Sequence, residues 1–211
     1  MAGDAGRVIA GRAAGRRLAA PGPGTRPLTD RVKQTLFAIL EPELPGARFL
    51  DLCAGTGAGG IEALSRGAAV AVMVERDARA CRTIAENLER TGLAGPSVRV
   101  VRADAAAWLV TAARAPALTA ALTAAPDPAH GPFDLVLVDP PYDNPELLET
   151  LLGTLGADTA GRLLSAGGGI IAKHFWRAAP PDRIGLLRSV RERRFGETTL
   201  TFFRRVATED G

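Results

Sequence analysis

The sequence is poor in the residues that build cross-links, metal centres and membrane spans. Among 211 residues there are 2 cysteines, Cys53 and Cys81, and they form no C-x-x-C pair. That excludes a disulfide framework. The 2 histidines, His130 and His174, lie far apart without spaced partners, so no metal site is expected. No apolar run reaches the length of a membrane span. Arg7 and Arg12 are followed by no apolar signal core, so a cytoplasmic protein without membrane contact is expected. Lysine is nearly absent too: Lys33 and Lys173 are the only ones among 26 cationic residues. Arginine carries almost all of the positive charge.

What is present suffices for a core. Hydrophobic residues make up 46% of the chain, enough for one well-buried domain with a small appendage. The net charge of +3 is unevenly spread: residues 1–33 carry +5, residues 173–211 carry +4, and the middle is left at −6. Basic ends around an acidic centre suggest contact with a polyanion.

Residues 7–20 hold two short arms around a Gly/Ala turn, a pattern that predicts a β-hairpin. Its arginines, Arg7, Arg12, Arg16 and Arg17, would lie on phosphates, with Arg26, Arg31 and Lys33 beyond it. Pro21-Gly22-Pro23-Gly24 then marks a loop. A boundary near residue 25 separates this extension from a main domain, 26–211. Thr29 or Asp30 caps the next helix, whose apolar face is Val32, Leu36, Phe37, Ile39 and Leu40, with Arg31 and Lys33 pointing elsewhere. That helix would cover a ligand.

From residue 47 strands and helices alternate. Strands are expected at 47–52, 70–75, 98–102, 133–138 and 169–172, with helices near 59–66, 77–91 and 145–155. Such alternation implies an α/β fold with a doubly wound, mainly parallel sheet. Two further runs, 185–193 and 198–206, read as an antiparallel hairpin around Phe195-Gly196-Glu197. The Ala- and Pro-rich stretch 111–132 reads as a helix end and a flexible insertion.

The first strand runs into Asp51-Leu52-Cys53-Ala54-Gly55-Thr56-Gly57-Ala58-Gly59-Gly60. The glycines allow positive φ and close approach of the backbone to a ligand. The helix start offers free N–H groups. Glu75 closes the next strand, where an acid binds ribose hydroxyls. Asp51 stands before the glycines, where its carboxylate would meet a cationic amine or sulfonium and would repel a pyrophosphate. This favours S-adenosylmethionine over a dinucleotide. Asp104, after the third strand, would accept from the adenine amine or simply cap a helix. Ala54, Gly55, Gly57, Arg76, Ala105 and Thr29 complete the candidate cofactor set.

The second motif is Asp139-Pro140-Pro141-Tyr142, at the end of strand 133–138. Strand carboxyl ends are where open α/β sheets bind ligands. Pro141 fixes its own φ and holds Pro140 extended, which presents the Pro140 carbonyl. That carbonyl and the Asp139 carboxylate are two acceptors for one NH₂ group. Tyr142 offers a ring for a base to stack on. Asp139, Pro140 and Tyr142 are thus the candidate catalytic residues, for methylation of an exocyclic amine.

Arg7-Val-Ile-Ala-Gly11, Arg16-Arg-Leu18, Arg26-Pro-Leu-Thr-Asp-Arg-Val-Lys33, Thr35-Leu-Phe37, the Asp51–Gly57 turn, Gly60-Ile-Glu-Ala-Leu-Ser-Arg-Gly-Ala68 and Asp139–Tyr142 occur in order. With Arg194-Phe-Gly-Glu-Thr-Thr-Leu200 they resemble the bacterial 16S rRNA guanine-N2 methyltransferase family of small-subunit assembly. The resemblance implies a Rossmann-like class I methyltransferase with a seven-stranded sheet. It also implies methyl transfer from S-adenosylmethionine to one guanine of 16S rRNA, by a monomer without an obligate protein partner. The insertion 111–132 and the pair Lys173-His174 depart from the family pattern. An adenine or cytosine amine in DNA fits Asp-Pro-Pro-Tyr as well, but the chain leaves no room for a target-recognition domain. A protein glutamine amide also fits the motif, against the basic ends. A nicotinamide-dependent dehydrogenase fits Gly55-x-Gly57-x-x-Gly60 and Glu75, but no substrate domain or proton relay appears.

Overall fold

The computed structural model describes residues 4–19, 28–114, 132–157 and 163–206. The chain forms two compact units, Met1–Asp104 and Ala105–Gly211. The loop Pro21–Gly24, Arg26 and the insertion from residue 115 to 131 lie outside the described residues.

In the first unit, strands β1 (Asp4–Arg7) and β2 (Arg17–Ala19) pair antiparallel. Helix α1 (Asp30–Leu40) and a 3₁₀ turn (Glu41–Glu43) follow. Strands β3 (Arg48–Leu52), β4 (Val70–Glu75) and β5 (Val98–Arg102) form a parallel ladder with β4 in the middle. Helices α2 (Ala58–Ser65) and α3 (Ala78–Thr91) connect them. Ala71, Val72, Met73 and Val74 of β4 are all fully buried, as expected of a central parallel strand covered on both faces. Helix α1 starts where Thr29 is extended and its Oγ1 accepts from the Val32 N–H, with Asp30 in the first turn. Helix α3 starts at Asp77, whose carboxylate accepts from the N–H groups of Arg79 and Ala80, and stops at Gly92 in the left-handed region.

The expected hairpin is present, but its arms are displaced to Asp4–Arg7 and Arg17–Ala19. The segment between them is not a free ribbon tip, because it lies along α2. The N–H groups of Ile9 and Ala10 donate to the Glu62 carboxylate at 2.7 and 3.0 Å. Ala13 N–H donates to Ser65 Oγ and Arg12 N–H to the Ser65 carbonyl. Gly11 has φ 83°, and a Cβ there would stand 1.9 Å from the Ser65 carbonyl oxygen, so no other residue fits. Val8, Ala13 and Leu18 join Ile61, Leu64, Met73 and Ile84 in one apolar cluster.

The second unit opens with α4 (Ala105–Arg114) and continues with β6 (Phe133–Val138) and α5 (Pro145–Gly156). Strands β7 (Leu164–Phe175), β8 (Arg183–Ile184), β9 (Leu187–Phe195) and β10 (Thr198–Arg205) complete it. β6 and β7 are parallel, and β7, β10, β9 and β8 follow as antiparallel neighbours. The expected C-terminal hairpin is β9–β10, turning at Gly196 with φ 61°. The strand expected at 169–172 is longer than its apolar run, because ladder bonds to β10 carry it to Phe175. The two-residue β8 is an addition to the seven expected sheet strands. Among the described residues, no helix is long and apolar enough to cross a membrane.

Candidate active site

The first unit carries the glycine turn between β3 and α2. Cys53, Gly55 and Gly57 have φ of 63°, 55° and 76°. Gly57 heads α2 without a side-chain cap. Asp51, expected to face a ligand cation, also has a structural role. It is 1% exposed, and its Oδ2 accepts from the Gly60 N–H at 2.8 Å. The carboxylate ties the end of β3 to the first turn of α2 and fixes the loop between them. Glu75 is half-buried, with one oxygen accepting from Gly55 N–H at 2.9 Å and the other from Asp77 N–H at 2.8 Å. A carboxylate oxygen has two lone pairs, so each retains capacity for a hydroxyl donor. Ala54 is buried, and its N–H donates to the Val74 carbonyl at 3.0 Å. Arg76, Asp104 and Thr29 are exposed, Asp104 directly before α4. Ala105, the first residue of the second unit, is buried.

The second unit carries Asp139–Tyr142 after β6. Pro140 is buried and Pro141 exposed. Asn144 then caps α5, its Oδ1 accepting from Leu147 N–H at 3.1 Å. Asp139 Oδ1 receives a short hydrogen bond from the Lys173 ammonium on β7. Burial pushes the Asp139 carboxyl above its usual range, and the Lys173 charge pulls against this. Burial disfavours the Lys173 ammonium, yet Asp139 and Tyr142 more than offset it and leave that pKa raised. The same ammonium stands 4.8 Å from the centre of the Tyr142 ring. The Tyr142 hydroxyl and Thr198 Oγ1 are hydrogen-bonded at 2.7 Å. His174 is buried, its Nε2 2.9 Å from Thr201 Oγ1, and burial lowers its pKa.

Sequence reading missed Lys173, Thr198 and Glu62. Lys173 left a signal: a lone cation closes the apolar run Ile170–Ala172. A buried cation at a strand end needs an anion, and Asp139 holds the corresponding place on the adjacent parallel strand, which pairs Val138 with Ala172. Glu62 and Thr198 left none, since their partners are distant in sequence.

Of the expected phosphate contacts, Arg12, Arg16, Arg17 and Arg31 are exposed. Arg7 is exposed but paired with Asp30, and Arg16 also donates to the Arg90 carbonyl. Arg26 lies outside the described residues. Lys33 corrects the expectation: its side chain is fully buried, donating to the Arg7 carbonyl and paired with Asp30 at 3.3 Å. It anchors β1 to α1 and cannot reach a phosphate.

A glycine turn between a parallel strand and a helix, acids at the strand ends and an antiparallel hairpin after the parallel strands define a class. The fold is that of the S-adenosylmethionine-dependent methyltransferases. Within it, the chain belongs to the family described as Conserved hypothetical protein 95, matching it over residues 6–204. It is 34% identical over 202 residues to "Putative rRNA methyltransferase YlbH" of Bacillus subtilis, covering 94% of this chain and 98% of that one. It is 38% identical over 146 residues to "Ribosomal RNA small subunit methyltransferase D" of Escherichia coli, covering 69% of this chain and 64% of that one. The solved structure of "Putative methyltransferase yhhF from Escherichia coli" matches with a TM-score of 0.78 at 31% identity, over 98% of this chain and all of the other.

Proposed function

We propose that this protein transfers a methyl group from S-adenosylmethionine to the exocyclic N2 amine of a guanine in 16S rRNA of the small ribosomal subunit. The observation that carries the reading is Asp139, a mostly buried carboxylate held by Lys173 through Oδ1, at the head of Asp139-Pro140-Pro141-Tyr142. The likeness to small-subunit and rRNA methyltransferases supports the choice of substrate.

The residues of the first unit suit the cofactor. The left-handed Gly55 and Gly57 leave a turn without side chains, and the uncapped start of α2 adds a positive dipole end. Glu75 would hold the ribose hydroxyls through its remaining lone pairs. Asp51 would act through the turn that it fixes. Asp104 would accept from the adenine amine. When bound, S-adenosylmethionine supplies a methyl group on a sulfonium that leaves as a neutral thioether.

The acceptor side falls to the second unit. A guanine N2 lone pair is delocalised into the ring and attacks poorly. Acceptors at both N–H groups favour a more tetrahedral nitrogen and stabilise the positive charge that develops as the N–C bond forms. Asp139 would supply one acceptor and the Pro140 carbonyl the other, while Tyr142 holds the base. The surplus amine proton passes to solvent.

Incubation of the protein with tritiated S-adenosylmethionine and purified small subunits, followed by nucleotide mapping, tests this. Label in a single N2-methylguanine is expected. Label confined to adenine in added DNA, or none in rRNA, would overturn the reading.

A further inference from the structure

Beyond the acceptor loop, an arrangement of rings and guanidinium groups continues from Tyr142. β7 ends at Phe175, and the next residue, Trp176, donates its N–H to the Glu197 carbonyl at 3.0 Å in the β9–β10 turn. Phe175 pairs with Thr198, the residue bonded to the Tyr142 hydroxyl. Tyr142, Phe175 and Trp176 form a chain of tilted rings with centroids 6.4 and 6.2 Å apart.

Two arginines stack on the last ring. The Arg194 guanidinium is 4.0 Å from the Trp176 centroid and that of Arg177 is 4.7 Å away. Both arginines are exposed, and neither is ion-paired among the described residues. Arg194 donates its Nε–H to the Gly196 carbonyl at 2.9 Å, and its Nη donors have no hydrogen-bond partner among the described residues. Two like charges gathered on one half-buried ring repel each other, and the stacking itself returns only about 0.5–1 kcal/mol where the cations stay exposed. The fold gains little from this arrangement, whereas an anion would relieve it. Along β9, Arg188, Arg191 and Arg193 are exposed as well, with Arg191 and Arg193 on the face of the strand opposite Arg194.

We infer that Trp176, Arg177 and Arg194 form a phosphate clamp for the RNA strand that carries the target base. This rests on the RNA methyltransferase reading above. A guanidinium braced on an aromatic face loses less freedom on binding and presents a planar fork to phosphate oxygens. The chain of rings ties the clamp to Tyr142, the ring proposed to hold the base. Backbone phosphates beside a splayed-out nucleotide are what this end of the unit would grip.

The test measures binding of a fluorescently labelled single-stranded RNA, and the KM for purified small subunits, as functions of salt. The Arg177→Ala/Arg194→Ala double variant should raise both Kd and KM by about tenfold or more, the scale of one charge-assisted hydrogen bond. Its salt slope should flatten by about 0.7 for each phosphate that is no longer neutralised. Trp176→Ala should raise Kd with all charges intact, and Arg194→Lys should fall short of wild type because an ammonium does not stack as a plane. S-adenosylhomocysteine affinity, read by calorimetry, should stay at the wild-type value and reports that each variant is folded. An unchanged Kd and salt slope in a folded double variant, with wild type binding RNA, would overturn the clamp alone. Wild type that binds S-adenosylhomocysteine but no RNA would overturn the clamp and the RNA reading together. Competition by polyglutamate as strong as by RNA of equal charge would assign the patch to an acidic protein and overturn the clamp.

Discussion

The proposed methyl transfer would need a charged carboxylate at Asp139, in surroundings that disfavour charge. Burial raises its pKa, and the Lys173 ammonium opposes the rise. In the proposed reaction Lys173 would be a positioning residue: its charge favours the ionised form of Asp139 and its hydrogen bond aims the carboxylate, without touching the reacting atoms. Lys173→Met removes the opposing charge, so the Asp139 pKa should climb further. The acid limb of kcat against pH should then move to higher pH, while wild type keeps its activity to lower pH. An acid limb that stays in place would separate Lys173 from Asp139 ionisation. At Tyr142 the motif suggests only a ring, with a replaceable hydroxyl. The hydroxyl is engaged by Thr198, so Tyr142→Phe should lose about 0.5–1.5 kcal/mol in urea denaturation. The motif was legible because Asp-Pro-Pro-Tyr restricts its own backbone. The partners were not, since β7 and β10 bring Lys173 and Thr198 to it across 34 and 56 residues of sequence.

Among the elements, the N-terminal segment departs most from its sequence. Arginines between two short arms read as a hairpin that lies on phosphates. In the fold the same segment closes one side of the first unit, with Val8, Ala13 and Leu18 buried and Glu62 beneath its backbone. Glu62 is fully buried and also accepts from Arg66 Nε at 2.8 Å. Its replacement by alanine would leave two N–H groups without an acceptor and a mostly buried guanidinium with Glu41 as its remaining partner. A loss of about 3–5 kcal/mol is expected, as for other broken buried pairs, read by urea denaturation. A loss below about 1 kcal/mol would show that water replaces the carboxylate. Deleting 7–20 is thus no clean test of RNA contact, because it uncovers Ile61 and Leu64. Alanine at the exposed Arg12, Arg16 and Arg17 separates charge from fold. The helix cap at Thr29, the strand at 70–75 and the C-terminal hairpin were legible, because each is set by neighbours within a few residues. The docking of 8–16 was not, since it depends on Gly11 meeting Ser65 and Glu62 meeting two backbone N–H groups.

Over the whole molecule, positive charge divides by residue type. Arginine makes up the exposed basic surface, and the only two lysines are both buried. Their environments act in opposite directions. Lys33 has its pKa lowered, chiefly by burial, against the pull of Asp30. Lys173 has its pKa raised, burial being outweighed by Asp139. A lysine lowered in the fold binds its proton more weakly there than in the unfolded chain. Its contribution to stability therefore rises with pH, from the lowered value up through the ordinary 10.5. A lysine raised in the fold does the reverse. Its contribution is complete below 10.5 and is lost as pH climbs through the raised value. Arginine does not titrate in this range, so among the cationic side chains only the two lysines shape the alkaline limb. Urea denaturation from about pH 8 to 11 should show it, since that range brackets the ordinary lysine pKa. Relative to wild type, Lys33→Met should remove a gain in stability on raising pH, so its curve falls away from wild type towards the alkaline end. Lys173→Met should remove a loss, so its curve approaches wild type there. Two difference curves of the same sign would mean that the lysines do not sit in the opposed environments that Asp30 and Asp139 give them.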